Sequence, residues 1–388
     1  MKNSIYLLLI LAFISCNKDD GAPTSNVSIL DFNPKHTFTA EEVTIETTEL
    51  DSTATIEVLF SGVPALGVRR EDNTIVARVP SGAKTGEFVL KYNSVENVIG
   101  DITISEETDR FYGRVYGDNF DKQDYFELNI DQAELGELFV TARGYDTVYE
   151  IVYSKGSNVA YNEHYVQCGS TGCLVEHFVQ NLDNGMSWKR SYCADPECSG
   201  GLYVLAVGNN FLYYSYYFFN PTTNQTESLL IALDLITMES TVLRDYNIHG
   251  SIRIARKSVH IEQDNVLVGY DKSADKFVRA NLNDFTSTSF QYPDVTLTQL
   301  LASQSGKIFA ILGNYTIVEI SPENGEVLEE IYLSDSVINS LEYSESTGRF
   351  FWLQIEAENT ILKIYNPANQ LVTSIPYEQK LTGMFTDY

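Results

Sequence analysis

The chain of 388 residues has no apolar run long enough to cross a bilayer as a helix. Its longest, Ile5 to Ile14, falls well short of the roughly 20 residues a span needs. Basic charge is also sparse, with 26 Lys and Arg against 53 Asp and Glu and a formal net charge of −27. Nucleic acid and anionic membrane surfaces demand a basic footprint, so neither is an expected partner. Methionine is scarce at 4 residues, and from about Arg110 onward no useful stretch repeats its apolar residues at helical spacing, which argues against a helical bundle. Enzyme signatures are missing too. There is no Gly-x-Ser-x-Gly elbow, no His-Glu-x-x-His, no phosphate-binding Gly-x-x-x-x-Gly-Lys and no dinucleotide fingerprint. His36, His164, His177, His249 and His260 are scattered. No metal, cofactor or catalytic residue is expected.

What is present points to strands. Tyr (25) and Phe (20) are abundant, and 44% hydrophobic against 20% charged residues is enough to bury a sizeable core in two or three domains. The first residues carry one lysine, about ten apolar positions and a small residue, the pattern of a signal peptide over 1–15. Phe13-Ile14-Ser15-Cys16 resembles a bacterial lipobox with Phe13 in place of the usual leucine. The resemblance implies diacylation of Cys16; an ordinary signal peptide with an incidental cysteine is the alternative. Lys18-Asp19-Asp20 resembles the export signal of Bacteroidota surface lipoproteins, and residues 16–26 read as a polar tether. Asp51-Ser52-Thr53, Asp146-Thr147-Val148 and Asp335-Ser336-Val337 resemble that phylum's O-glycosylation motif. The expected location is the outer membrane, lipid-anchored and facing outward.

Residues 27–105 alternate in short stretches, clearest at 27–30, 42–45, 55–60, 74–79 and 87–92, as an immunoglobulin-like sandwich would. Asp31-Phe32-Asn33-Pro34, Phe60-Ser61-Gly62-Val63-Pro64 and Val79-Pro80-Ser81-Gly82-Ala83-Lys84-Thr85-Gly86 follow in an order that resembles the IPT/TIG family. The loop His36-Thr37-Phe38-Thr39-Ala40 departs from it, lacking the usual glycines. The resemblance implies a spacer or contact platform.

Over 110–388 a phrase of strand, polar turn and strand recurs. Its turn residues are Asn129, Asn181, Asp234, Asn281, Ser321 and Asn366. Gaps of 40 to 53 residues fit a four-stranded propeller blade, so the expected fold is all-β: the sandwich followed by a β-propeller of six blades. Seven blades, an open sandwich or two β domains remain alternatives. The shape resembles NHL, WD40-like and quinoprotein-type propellers, with no motif that selects one.

Apart from Cys16 the cysteines are Cys168, Cys173, Cys193 and Cys198. An even number in an exported chain argues for disulfides, with zinc as the alternative. Residues 163–168, 173–180, 186–193 and 202–207 read as four strands of one blade, with all four cysteines at one edge. Candidate ligand-binding residues are Trp188, Tyr214, Tyr216 and Trp352, whose rings would stack on sugar faces; filling between blades is the competing role. Asp118, Asp121 and Asp124 read as a solvated acidic loop. The expected function is a non-catalytic surface lipoprotein whose propeller binds a glycan beside a TonB-dependent transporter. The alternatives are a protein-docking subunit of an outer-membrane complex and a glycan-cleaving enzyme.

Overall fold

The computed structural model describes residues 27–116, 122–143, 153–154, 159–169, 172–181, 186–193, 200–208, 210–220, 222, 224–245, 258–271, 275–284, 286–291, 296–357 and 359–386. Among them the chain forms strands and turns and no helix, so it is all-β. It divides into two compact units, Met1–Thr37 with Glu42–Ile104, and Phe38–Glu41 with Ser105–Tyr388.

The first unit has two sheets. One orders its strands Ile29–Asn33, Glu42–Thr47, Thr74–Arg78 and Val68–Glu71; the other His36–Phe38, Val95–Ser105, Gly86–Tyr92, Ile56–Phe60 and Val63–Pro64. Alternation sends Val43, Ile45, Ile75 and Ala77 of the first sheet and Val58, Phe60, Phe88 and Leu90 of the second into one core, where the Phe60 and Phe88 rings stack at 4.7 Å. The landmark turns meet. Ser61 Oγ donates to Lys84 O at 2.7 Å, and a Cβ on Gly86 would sit 2.8 Å from that same Oγ, so only glycine fits there.

Among the described residues the second unit forms six four-stranded antiparallel sheets. The second holds Tyr153–Ser154, Val159–Gly169, Gly172–Asn181 and Ser187–Cys193; the third Gly200–Val207, Phe211–Asn220, Gln225–Asp234 and Ser240–Asp245. The fourth holds Ser258–Ile261, Val266–Asp271, Lys276–Asn281 and Ser287–Gln291; the fifth Leu297–Ala302, Ile308–Leu312, Thr316–Ile320 and Val327–Leu333. The sixth holds Asn339–Tyr343, Phe350–Ile355, Thr360–Asn366 and Leu371–Tyr377. The first sheet is composite. Phe111–Tyr116, Lys122–Asn129 and Glu134–Arg143 are joined by the last strand of the chain, Leu381–Thr386, which pairs with Phe111–Tyr116. Residues 202–207 therefore belong to the third sheet and not, as the spacing implied, to the one that carries the cysteines. The short strand Tyr153–Ser154 takes the place assigned to them.

Period-two alternation shows why the sheets stack. In the fifth sheet Ile308, Ala310, Val318 and Ile320 pack with the fourth, while Phe309, Ile311 and Ile317 pack with the sixth. In the sixth, Phe350 and Trp352 face the fifth, whereas Phe351, Leu353, Leu362 and Ile364 face Phe111, Leu128 and Leu381 of the first. The third does the same, Leu212, Tyr214, Ile231 and Leu233 facing the second and Tyr213, Leu230 and Ala232 the fourth. Each such side chain contributes about 1.5–3 kcal/mol on burial, so neither face of a sheet can be left in water. The leading strands Gly200–Val207, Ser258–Ile261, Leu297–Ala302, Asn339–Tyr343 and Leu381–Thr386 touch in succession.

The recurring phrase has a structural cause. Each turn residue ends or directly follows the third strand of a sheet, the closing strand counted as first in the composite sheet. Asp234 Oδ1 accepts from the backbone N–H groups of Ile236 and Thr237, both at 2.8 Å. Asn281 Oδ1 accepts from Asn283 N at 2.8 Å, Ser321 Oγ from Glu323 N at 3.2 Å, Asn366 Oδ1 from Ala368 N at 3.0 Å and Asn129 Oδ1 from Gln132 N at 3.2 Å. Four residues on, the backbone turns left-handed, at Ala133 (φ 58°), Met238 (59°), Gly325 (78°) and Gln370 (59°). Only one of these is glycine, the residue that carries no steric cost there.

Two substitutions should move stability in opposite directions. Gly325→Ala places a Cβ 2.6 Å from Phe277 Cγ at a φ of +78° and is expected to cost about 2–4 kcal/mol. Gln370→Gly removes left-handed strain and should add up to about 1 kcal/mol. Urea midpoints check both; a neutral Gly325→Ala would contradict the turn assignment.

Candidate functional site

The structure separates the candidate aromatic residues. Tyr214 is 0% and Trp352 1% exposed, each inside the core between two sheets, so neither offers a stacking surface, a correction to the sequence expectation. Their parity on the strand decides this, since each points at a neighbouring sheet. Trp188 is half-buried with its ring 5.4 Å from that of Tyr214, and packs as part of the same filling. The side chain of Tyr216 lies outside the described residues, as do all of Cys16, Cys198, Asp118 and Asp121. Backbone register sets Cys168 opposite Cys173 across adjacent strands, with Cys193 opposite Leu174. Three of the four cysteines thus lie at one end of one sheet; their side chains lie outside the described residues.

Because strands alternate in direction, connections between second and third strands, and from one sheet to the next, fall at one end of the series. There Tyr315 is 43% exposed. It follows a two-residue turn, Gly313 (φ 57°) and Asn314 (φ 68°), whose double left-handed geometry matches the twist of a hairpin. The tip is braced. Tyr315 N donates to Leu312 O at 3.1 Å, Ser334 N to Tyr315 O at 2.8 Å and Ile338 N to Asn314 O at 2.8 Å. Ser336 Oγ donates to Gln354 Oε1 at 3.0 Å, which ties in the next sheet. Its hydroxyl is thereby engaged, whereas Ser52 of the matching Asp51-Ser52-Thr53 tripeptide is exposed. Leu333, Val337 and Ile355 at this end are also exposed. The result is an aromatic and aliphatic surface with amide and hydroxyl groups and the exposed carboxylates of Asp335 and Glu356 beside it.

At the opposite end the turns between first and second strands link sheet to sheet. Gln263 Nε2 donates to Gln304 O at 3.0 Å, Gln304 N donates to Glu345, and Ser346 N donates to Asp109 Oδ2 at 3.4 Å. Burial pushes the Glu345 carboxyl up, with the Asp109 charge adding to it. A cavity of about 410 Å³ opens here, lined by Glu107, Asp109, Asn129, Asp131, Glu137 and Arg349 over an apolar floor of Phe111, Leu128 and Ile130. Its wall is a closed polar network. Arg349, 1% exposed, donates through Nη2 to Glu107 Oε2 at 2.9 Å, through Nη1 to Glu41 Oε1 at 3.3 Å and through Nε to Thr347 Oγ1 at 3.2 Å. Glu107 also accepts from Asp109 N (3.1 Å), Ser344 Oγ (2.9 Å), Ser346 Oγ (2.8 Å) and Thr347 Oγ1 (2.8 Å). Both oxygens of that carboxylate are engaged, so it serves as a fixed anchor for the turn that carries Arg349.

A third cluster lies between the third and fourth sheets. His260 Nε2 meets Asn265 Oδ1 at 3.3 Å, and the Tyr213 ring is centred 4.7 Å from the imidazole. A Cβ on Gly208 would sit 2.5 Å from His260 Nδ1 and 3.3 Å from Glu262 Oε1. Burial lowers the His260 pKa from 6.5 and raises that of Tyr213 to about 12, the Glu262 charge adding to the latter. Among the described residues no group of three or more His, Cys, Asp or Glu side chains is arranged to hold a metal ion.

No family model and no curated protein matches this chain. Solved structures resemble it in shape at low identity. A structural-genomics protein of unknown function from Bacteroides thetaiotaomicron is 13% identical, with a TM-score of 0.42, over 91% of this chain and 86% of that one. TolB from Acinetobacter baumannii is 11% identical, with a TM-score of 0.48, over 81% of each chain. An auxiliary nutrient binding protein from Bacteroides ovatus is 11% identical, with a TM-score of 0.38, over 91% of this chain and 86% of that one.

The half-buried imidazole sets a pH dependence. With the folded pKa below 6.5, the unfolded chain binds the proton first as pH falls. His260 therefore contributes stability that is full above 6.5 and is lost as pH drops from there through the depressed folded value. Urea midpoints between pH 7.5 and 5 should fall more steeply for the native chain than for His260→Gln; parallel curves would contradict the assignment.

Proposed function

We propose that the chain is a non-catalytic surface lipoprotein that recognises a neutral glycan, anchored through acylated Cys16 and acting beside a TonB-dependent transporter. In this reading the first unit is an IPT/TIG-like sandwich that serves as a spacer. The second is a six-bladed β-propeller, its sheets the blades and the strand Leu381–Thr386 the closure of the ring. The observation that supports glycan recognition is Tyr315, an exposed ring on a hydrogen-bonded hairpin tip. The C–H face of a sugar packs on such a ring, and the amide of Asn314 beside it is a neutral group suited to hydroxyls. The net charge of −27 disfavours polyanionic glycans.

The second reading is a docking subunit, which the exposed Leu333, Val337 and Ile355 favour. Titration of the full chain with neutral oligosaccharides (maltohexaose, laminarihexaose, xylohexaose, mannohexaose) separates the two. Glycan recognition predicts saturable binding to at least one, weakened about tenfold or more by Tyr315→Ala, a loss of about 1.4 kcal/mol. No binding by the native chain, or equal binding by the variant, would sink it. Stoichiometric recovery of an outer-membrane subunit together with no binding of any oligosaccharide would favour docking.

Two covalent features belong to the same proposal. Cys16→Ala should release the protein from the membrane fraction. Peptide mapping without reductant should find Cys168, Cys173, Cys193 and Cys198 all oxidised, whereas four alkylatable thiols would revive zinc.

A further inference from the structure

The Arg349 network is an unusual thing to bury. A guanidinium at 1% exposure beside carboxylates whose side chains are 2% and 7% exposed has given up its hydration, and such a group persists only with its partners in place. The partners come from three separated parts of the chain. Arg349 ends the turn between the first two strands of the sixth sheet, and Glu107 lies just before the strand Phe111–Tyr116 of the first sheet. Glu41 belongs to Phe38–Glu41, four residues that pack with the second unit although their sequence neighbours on both sides belong to the first.

Those four residues are built into the network along their length. Phe38 lies over the guanidinium at 4.6 Å, with Phe351 at 5.2 Å. The Thr39 carbonyl accepts from Arg349 Nη1 at 3.4 Å, and Thr39 Oγ1 accepts from Glu107 N at 3.4 Å. Ala40 is 1% exposed in the core shared by the sixth and first sheets. Glu41 Oε1 also accepts from Asn366 Nδ2 at 2.8 Å, and its Oε2 from Phe38 N at 3.2 Å. The turn at this position in the fourth, fifth and sixth sheets joins first strand to second. In the composite first sheet those strands are Leu381–Thr386 and Phe111–Tyr116, from the two ends of the long segment Ser105–Tyr388, so no such turn joins them.

We infer that Phe38–Glu41 is a clasp that replaces this missing turn: through Glu41 it holds Arg349, and through Arg349 it fastens Glu107 and the strand that follows to the sixth sheet. Glu41 is a positioning residue in this account, since it does not line the cavity that Arg349 and Glu107 border. Its loss frees the seam between the sixth and first sheets before any other part of the unit.

Hydrogen exchange read by mass spectrometry on the full chain tests this. Glu41→Ala should speed exchange at least tenfold in peptides spanning 105–116 and 381–386. Peptides spanning 266–281 in the fourth sheet should change less than twofold. Glu41→Gln, which keeps the shape and the Asn366 contact but not the charge, should give a smaller increase at the same seam. Lys307→Met, which removes an ion pair to Glu319 whose lysine is 53% exposed, should leave the seam as it is. Unchanged seam peptides in Glu41→Ala would overturn the inference. So would an equal increase across all six sheets in both Glu41 variants, because that pattern marks general destabilisation and not a clasp.

Discussion

A four-stranded sheet with apolar side chains on both faces cannot exist by itself in water, and everything in the second unit follows from that constraint. Ile308 and Phe309 are neighbours in sequence and point into different cores, one shared with the fourth sheet and one with the sixth. The same division recurs along the third, fourth and sixth sheets, so each sheet requires two partners. A row of such sheets has two bare ends. The chain answers by setting the two against each other and returning its last strand to its first sheet, where Leu381 and Met384 enter the core that Phe351 and Leu353 supply from the sixth.

That return creates a weak place. A seam made from both ends of a unit has no covalent turn across it, and the closing strand is held by its ladder, its apolar face and a few side-chain hydrogen bonds, such as those of Arg114 to Thr382 and of Leu381 N to Thr360. Buried charge gathers there. Arg349, Glu41 and Glu107 form a network whose net worth over apolar packing is small, yet whose geometry admits one arrangement. The exposed surface proposed for recognition lies at the other end of the sheets, where Tyr315 stands on a two-residue turn. The proposed clasp and the proposed ligand surface are therefore at different ends.

Much of the architecture was legible because turn chemistry is local. Asp234, Asn281, Ser321 and Asn366 mark their turns because a short polar side chain caps the following N–H groups, which sequence displays directly. Ile56–Phe60 and Thr74–Arg78 were legible because one face is buried and alternation is visible. The short strands His36–Phe38 and Val68–Glu71 were not, since they sit at sheet edges with little apolar content. The assignment of 202–207 to the cysteine-bearing sheet failed because spacing cannot tell a fourth strand from the next first one. Tyr214 and Trp352 were misread as candidate platforms because aromatic density signals burial as readily as binding. Tyr315 carried a signal in Leu312-Gly313-Asn314-Tyr315, an aromatic residue directly after a tight turn. Arg349 carried none: its partners lie about 240 and 310 residues away, and such distances leave no local pattern.

The most direct test of the closed arrangement is a chain ended at Lys380, which lacks the strand Leu381–Thr386 and nothing else of the second unit's described sheets. Calorimetry should then show the first unit's unfolding transition preserved and the second unit's cooperative transition abolished, because the first sheet loses its leading strand and the sixth loses the cover of its outer face. A second-unit transition that survives with its enthalpy intact would contradict the account, and would mean that the six sheets stand as a row that needs no closure.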